Sequence, residues 1–175
     1  GVFDGELELG VVGARAADPR LIQEKIMEDD LRLVVPAGHA WAARREVDLT
    51  ELSGLPMIVR EAGSGTLRTV QQALENRGLD WSTFDIVAEM GSTEAIRQAV
   101  RAGLGVSILS VLAIADDLKH GALSALTITG LELGRSFYLT HHRDRTLSPL
   151  CRAFIAHVKS NCPPKPPSPE HPELR

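Results

Sequence analysis

Residues 89–110, EMGSTEAIRQAVRAGLGVSILS, constrain the fold more than any other stretch of this chain. They read as a strand end, a tight turn, an amphipathic helix, a glycine turn and a second strand, the pattern of a β-α-β crossover. Ala95, Ile96, Ala99 and Val100 recur at i, i+1, i+4 and i+5, while Glu94, Arg97, Gln98 and Arg101 fall elsewhere. That spacing gives the helix one apolar face for a sheet and one wet face. Ser92 or Thr93 can cap its start, and Gly103 stands where a left-handed C-terminal residue is wanted. Val106, Ile108 and Leu109 then form a short apolar run suited to a strand covered on both faces. The crossover predicts that its two strands form a parallel pair.

Residues 57–77 repeat the design. MIVRE reads as a strand, AGSGT as a turn, and Leu67, Val70 and Leu74 as the apolar side of a helix that Gly78 ends. The chain therefore offers two strand-to-helix turns, GSGT and GST, each rich in hydroxyls and small residues. The unsatisfied N–H groups and the positive end of the helix dipole make each one a potential seat for an anion. Arg60 ends the strand feeding GSGT, where ligands settle in open α/β sheets, and could add a bidentate, charge-assisted grip. Two alternatives stay open: Arg60 as the salt-bridge partner of Glu61 or Glu89, and Ser64, Thr66, Ser92 and Thr93 as plain helix caps.

With 175 residues, 43% of them apolar and 24% charged, the chain has the composition of a soluble globular protein. No apolar segment reaches the length that spans a bilayer, and no basic-then-apolar leader begins it, so the expectation is cytoplasmic with no membrane partner. A net charge of -4 argues against nucleic-acid contact by this chain, because neutralising phosphates requires clustered Lys and Arg. Cys151 and Cys162 are too few for a disulfide framework. One helix carrying both would hold them about 16 Å apart, so both are expected as free thiols.

In chain order, residues 7–13 read as an interior strand, yet almost nothing precedes it, so the chain is expected to start inside a domain. Residues 31–36 read as a strand that stops at Pro36. A short helical turn begins at Thr50, and a strand is expected over 85–89. A helix over 111–119 capped by Ser110 follows, then strands over 123–128 and 135–142. Ser148-Pro149 is a cap followed by proline at the first helical position, opening a last helix. The Pro-, Lys-, Glu- and Ser-rich stretch 162–175 is expected to be a disordered tail. Alternating strands and helices argue for mainly parallel α/β layers.

Catalytic patterns are weak. His142-Arg143-Asp144 lacks the downstream Asn and glycine-rich loop of a kinase, and reads as the polar end of a strand. GSGT lacks the spacing and Lys of a P-loop, and Gly103-Leu104-Gly105 lacks a third glycine for a dinucleotide fingerprint. The six histidines are scattered, and Cys151 has no ligand partner at finger spacing. No catalytic residue, metal ligand or cofactor is assigned.

Five segments taken together resemble the effector-binding domain of LysR-type transcriptional regulators: 5–13 (GELELGVVG), 30–36 (DLRLVVP) with His39, 60–66 (REAGSGT), 102–106 (AGLGV) and 145–149 (RTLSP). Residues 60–66 with 89–93 are most similar to the branch containing regulators of sulfur assimilation and carbon fixation. The resemblance implies an α/β, type II periplasmic-binding-protein-like fold of two subdomains, with the N-terminal half of subdomain I missing. Subdomain I would comprise 1–34 and 129–161, and subdomain II 35–128. It also implies a small anionic or carboxylate effector in the inter-subdomain cleft, controlling DNA through an N-terminal winged helix-turn-helix, in a homodimer or tetramer. The candidate effector-binding set is Arg60, Ser64, Gly65, Thr66, Ser92, Thr93 and Gly13. Two rivals share the fold: a transporter-associated solute-binding protein for a small anion, which requires an export leader and a complete first subdomain, and a deaminase, which requires a cofactor-bearing cysteine in an arginine-lined cleft.

Overall fold

The computed structural model describes residues 1–2, 6–13 and 15–162. The tail expected over 162–175 lies outside the described residues from 163 on. The chain divides into two compact units, one formed by Gly1–Asp29 with Arg135–Arg175, the other by Asp30–Gly134. The sequence expectation set the divisions at 34/35 and 128/129. The strand Leu21–Pro36 runs unbroken through the first division, so no local signal marks it.

In the first unit β1 (Leu9–Val12) pairs antiparallel with β8 (Gly134–His142), which neighbours β2 (Leu21–Pro36). β1 is therefore not the interior strand expected of its apolar run. It ends the strand order, and Val11 is 50% exposed. The helix α4 (Pro149–Asn161) starts as expected, with the Ser148 hydroxyl accepting from the Cys151 N–H, and it buries no residue. Cys151 and Cys162 are free thiols. The two chain segments of this unit are tied by a buried ion pair: Arg135 donates through Nε and Nη2 to Asp29 Oδ2 at 2.8 and 2.7 Å, and its guanidinium lies 4.9 Å from the Phe137 ring centre. Such a charge is tolerated inside only because it is paired and hydrogen-bonded.

The second unit is a sheet with helices on both sides. Its strands are the later half of β2, β3 (Glu46–Asp48), β4 (Pro56–Arg60), β5 (Asp85–Met90), β6 (Ser107–Ser110) and β7 (Leu123–Thr129). β2 pairs antiparallel with β6 and with β7, and β7 pairs parallel with β3. The sheet is thus mixed rather than mainly parallel, because β2 runs against both its neighbours. β4 and β5 are parallel, and a parallel bridge from Met57 to Val106 joins β4 to the start of β6. The crossover's own strands, β5 and β6, are accordingly not a direct pair, since β4 stands between them.

Period-two alternation distributes the side chains to two cores. Leu31, Leu33 and Val35 of β2, with Met57 and Ile108, pack against Val70 and Leu74 of α1 (Gly65–Glu75). Val34, Ile58 and Leu109 point the other way, onto Ile96 and Val100 of α2 (Thr93–Arg101) and Ile114. Each fully buried Leu or Ile contributes about 1.5–3 kcal/mol. The helix expected over 111–119 is divided into a 3-10 turn, Leu112–Ile114, whose N-cap is Val111 rather than Ser110, and α3 (Ala115–Lys119); Ser110 Oγ accepts from the Ala113 N–H. Asp117 of α3 ion-pairs with Arg97 and Arg101, fastening α3 to the wet side of α2.

Gly105 makes the β4–β6 approach possible: a Cβ there would stand 2.5 Å from the Pro56 carbonyl oxygen, which accepts from the Val106 N–H. Gly105→Ala is expected to lower stability by about 1–3 kcal/mol, the usual cost of overpacking. Gly91→Ala, which meets nothing within 4 Å, should leave the urea-unfolding midpoint close to wild type.

The 3-10 turn Leu49–Leu52 carries a capping box between Asp48 and Glu51, and Arg44 grips the Glu51 carboxylate with two N–H groups. These bonds, Arg44 first, hold the Glu51 carboxyl at about 2 against an ordinary 4.5. A folded-state value below the unfolded one means that the unfolded chain binds more protons between the two. Glu51 therefore stabilises the fold above about pH 4.5, and that contribution is lost as pH falls toward 2. A carboxyl-detected NMR titration should show its midpoint near 2, and Arg44→Ala should return it toward 4.5.

Candidate functional site

The parallel register of β4 and β5 pairs Arg60 with Met90, so both strands end at the same edge of the sheet and the turns that follow leave from one side. The first turn closes through the Ser64 N–H donating to the Glu61 carbonyl and through Gly63, whose φ of 94° lies in the left-handed region that glycine adopts without strain. It delivers the chain to α1. The second turn delivers it to α2.

At the two helix starts the serines differ. Ser92 is a plain cap, its hydroxyl accepting from the Ala95 N–H at 3.0 Å. Ser64 occupies the equivalent position before α1, is 7% exposed, and makes no cap bond. Gly65 begins α1 and Thr66 is buried one residue later.

Arg60 connects the two turns. Its Nη1 donates to Thr93 Oγ1 at 2.8 Å, while Nε and Nη2 donate to the two carboxylate oxygens of Glu61, each at 2.7 Å. Of the alternatives that the sequence left for the arginine, the ion pair with Glu61 is present in this structure. The guanidinium side chain is 18% exposed and the carboxylate 37%. The pairing raises Arg60 above its ordinary value and, through the same hydrogen bonds, lowers Glu61. Arg60 is thus a permanent cation held by one tethered anion and one hydroxyl. Adjacent to it is a narrow crevice under α1, lined by Met57, Arg60, Thr66, Leu67, Trp81 and Ser107 among others, with about 230 Å³ of empty space including that open to solvent. Trp81 Nε1 is buried without a hydrogen-bond partner among the described residues.

The structure thus brings Arg60, Thr93 and the two serine-bearing turns to one edge. Gly13 follows β1 in the first unit, where an added Cβ would stand 3.7 Å from the Phe137 ring. Reading the sequence for hydroxyls and cations missed Trp81, which no motif marks and which lies on a separate 3-10 turn, Trp81–Thr83. Among the described residues no group of three or more His, Cys, Asp or Glu is placed to hold a metal, and no helix is long and apolar enough to cross a membrane.

Ser92→Ala is expected to cost about 1 kcal/mol through loss of its cap. Ser64→Ala should cost less than Ser92→Ala, because its hydroxyl caps nothing. Paired urea-unfolding curves measure the difference.

Residues 1–163 match a family described as the LysR substrate binding domain. The HTH-type transcriptional regulator YeiE of Escherichia coli strain K12 is 36% identical over 154 residues, covering 88% of this chain and 51% of that protein. The RuBisCO operon transcriptional regulator of Acidithiobacillus ferrooxidans is 28% identical over 151 residues, covering 86% of this chain and 48% of that protein. A protein named phosphonates import ATP-binding protein PhnC, from Anaeromyxobacter dehalogenans, is 35% identical over 163 residues, 93% of this chain but 32% of its own length. The chain spans about half the length of the two regulators. Among solved structures, the regulatory domain of CcmR from Synechocystis PCC6803, in complex with 2-PG, aligns with a TM-score of 0.79 at 25% identity, covering 92% of this chain and 76% of that one. The fold is the α/β, type II periplasmic-binding-protein-like fold of those effector-binding domains. Sequence and fold agree: this chain belongs to the LysR substrate binding domain family.

Proposed function

We propose that this chain is the effector-sensing part of a LysR-type transcriptional regulator, and that a small anionic or carboxylate metabolite is held at Arg60 and the two turns beside it. One observation carries the reading. A guanidinium at the end of a parallel strand is linked to the first residue of a second helix, so a charge-assisted grip and two sets of N–H donors face one edge. The proposed hydroxyl and backbone donors beside that cation are Ser64, Gly65, Thr66, Ser92 and Thr93. The CcmR regulatory domain, which shares the fold, holds the small ligand 2-PG.

In the whole protein, effector binding would favour one arrangement of the regulator over another and so bias its HTH-type, DNA-reading part, in a homodimer or tetramer working in the cytoplasm. Regulators related over most of this chain support that role over a transporter solute-binding protein. The import name belongs to a protein of which this chain covers 32%.

A thermal-shift screen of small anions, 2-PG included, tests the reading. A true effector stabilises by about 2.7 kcal/mol at a hundredfold excess over its dissociation constant. Arg60→Ala should abolish the shift. An undiminished shift in that variant moves the site elsewhere.

A further inference from the structure

We propose that Glu61 is a built-in competitor for Arg60, and that the need to displace it makes the site select anions with three or more acceptor oxygens over simple monocarboxylates. The inference rests on Arg60 being the anion anchor. The geometry behind it is the fork of Arg60: Nε and Nη2 each stand 2.7 Å from one oxygen of the Glu61 carboxylate. That is the bidentate arrangement a ligand carboxylate or phosphoryl group would adopt on the same two donors. Glu61 therefore stands in for the ligand, occupying the grip with the chemistry the grip is shaped for.

Glu61 is chained to the residue it neutralises, so its effective concentration at the guanidinium is on the order of millimolar or above. It is also easily released. Its carboxylate bonds run to Arg60, and the side chain is 37% exposed, so it can turn into water at little cost. Arg60 does not move with it, because Nη1 is held separately by Thr93 Oγ1. The cation stays in place while its partner exchanges.

Selectivity follows from the exchange. A monocarboxylate replacing Glu61 makes the same two bonds that it breaks, and gains nothing over a tethered rival. A phosphoryl-type anion keeps those two bonds and has further oxygens for the Thr93 hydroxyl, which stands 2.8 Å from Arg60 Nη1. Only the surplus contacts produce net binding.

Calorimetric titration of the full chain with inorganic phosphate and with acetate tests this. Glu61→Gln keeps the shape and removes the charge, and is expected to bind phosphate about tenfold tighter by removing the tethered rival. It should also bring acetate into measurable range, so that the preference for phosphate narrows. Glu61→Asp keeps the charge on a shorter arm and should fall between wild type and the glutamine variant. Melting curves confirm that each variant is folded, and the aspartate variant keeps the test decisive if the glutamine one is not. Phosphate binding that is unchanged or weaker in Glu61→Gln, with Arg60→Ala abolishing it, overturns the competitor and leaves the anchor standing. Phosphate binding that survives Arg60→Ala overturns the anchor itself. No binding of phosphate by Glu61→Gln also overturns the proposal.

Discussion

Two parallel strands that end side by side determine most of what the second unit can do. Parallel pairing of β4 with β5 forces both following turns to leave from the same edge, and each turn must then enter its helix within a few residues. Opposite pairing would have put the two helix starts at opposite ends of the sheet. The pairing depends in turn on a close approach at the other side of β4, where Val106 and Ile58 exchange backbone bonds with their neighbours and the Ser107 hydroxyl donates to the Ile58 carbonyl. Nothing larger than glycine fits at residue 105, so the arrangement has little tolerance there.

Arg60 shows how a cation can be kept largely out of water without destabilising its surroundings. A guanidinium that is mostly withdrawn from water needs partners, because an unpaired buried charge is costly. Here one donor is fixed on Thr93 and two rest on a carboxylate that is itself partly in water. The charge is satisfied by a carboxylate that is itself 37% exposed. Asp29, the partner of Arg135, differs: that carboxylate is 1% exposed.

The two units also differ in how fully they bury their apolar surface. In the second, both sheet faces are covered, and alternation along β2 gives each helix layer its own core. In the first, Val11, Leu150 and Phe154 are exposed and α4 buries no residue, although its sequence pattern is that of an amphipathic helix. An amphipathic pattern reports a helix suited to packing, and it does not by itself supply the surface to pack on.

Much was legible in local chemistry. Ser92 and Ser148 cap where a hydroxyl ahead of an apolar run predicted they would, and Gly78 and Gly103 end their helices at positive φ. These are contacts within a few residues, so sequence spacing alone specifies them. Recognition of the family likewise came from short motifs in the correct order. What sequence spacing could not specify was strand neighbourhood: that β4 would stand between β5 and β6, that β2 would run against β6 and β7, or that the apolar run before Gly13 would end the strand order. Nor could it say which partner Arg60 would take, since both Glu61 and Glu89 stood open as salt-bridge partners and Thr93 Oγ1 accepts from it as well. The sequence by itself determined the starts of α2 and α4 and the glycine turns that end α1 and α2, because those signals act within a few residues. Only the tertiary structure decided that the two turns share an edge and that Glu61 holds the arginine, because both depend on contacts between segments far apart in the chain or on geometry at the end of a packed strand.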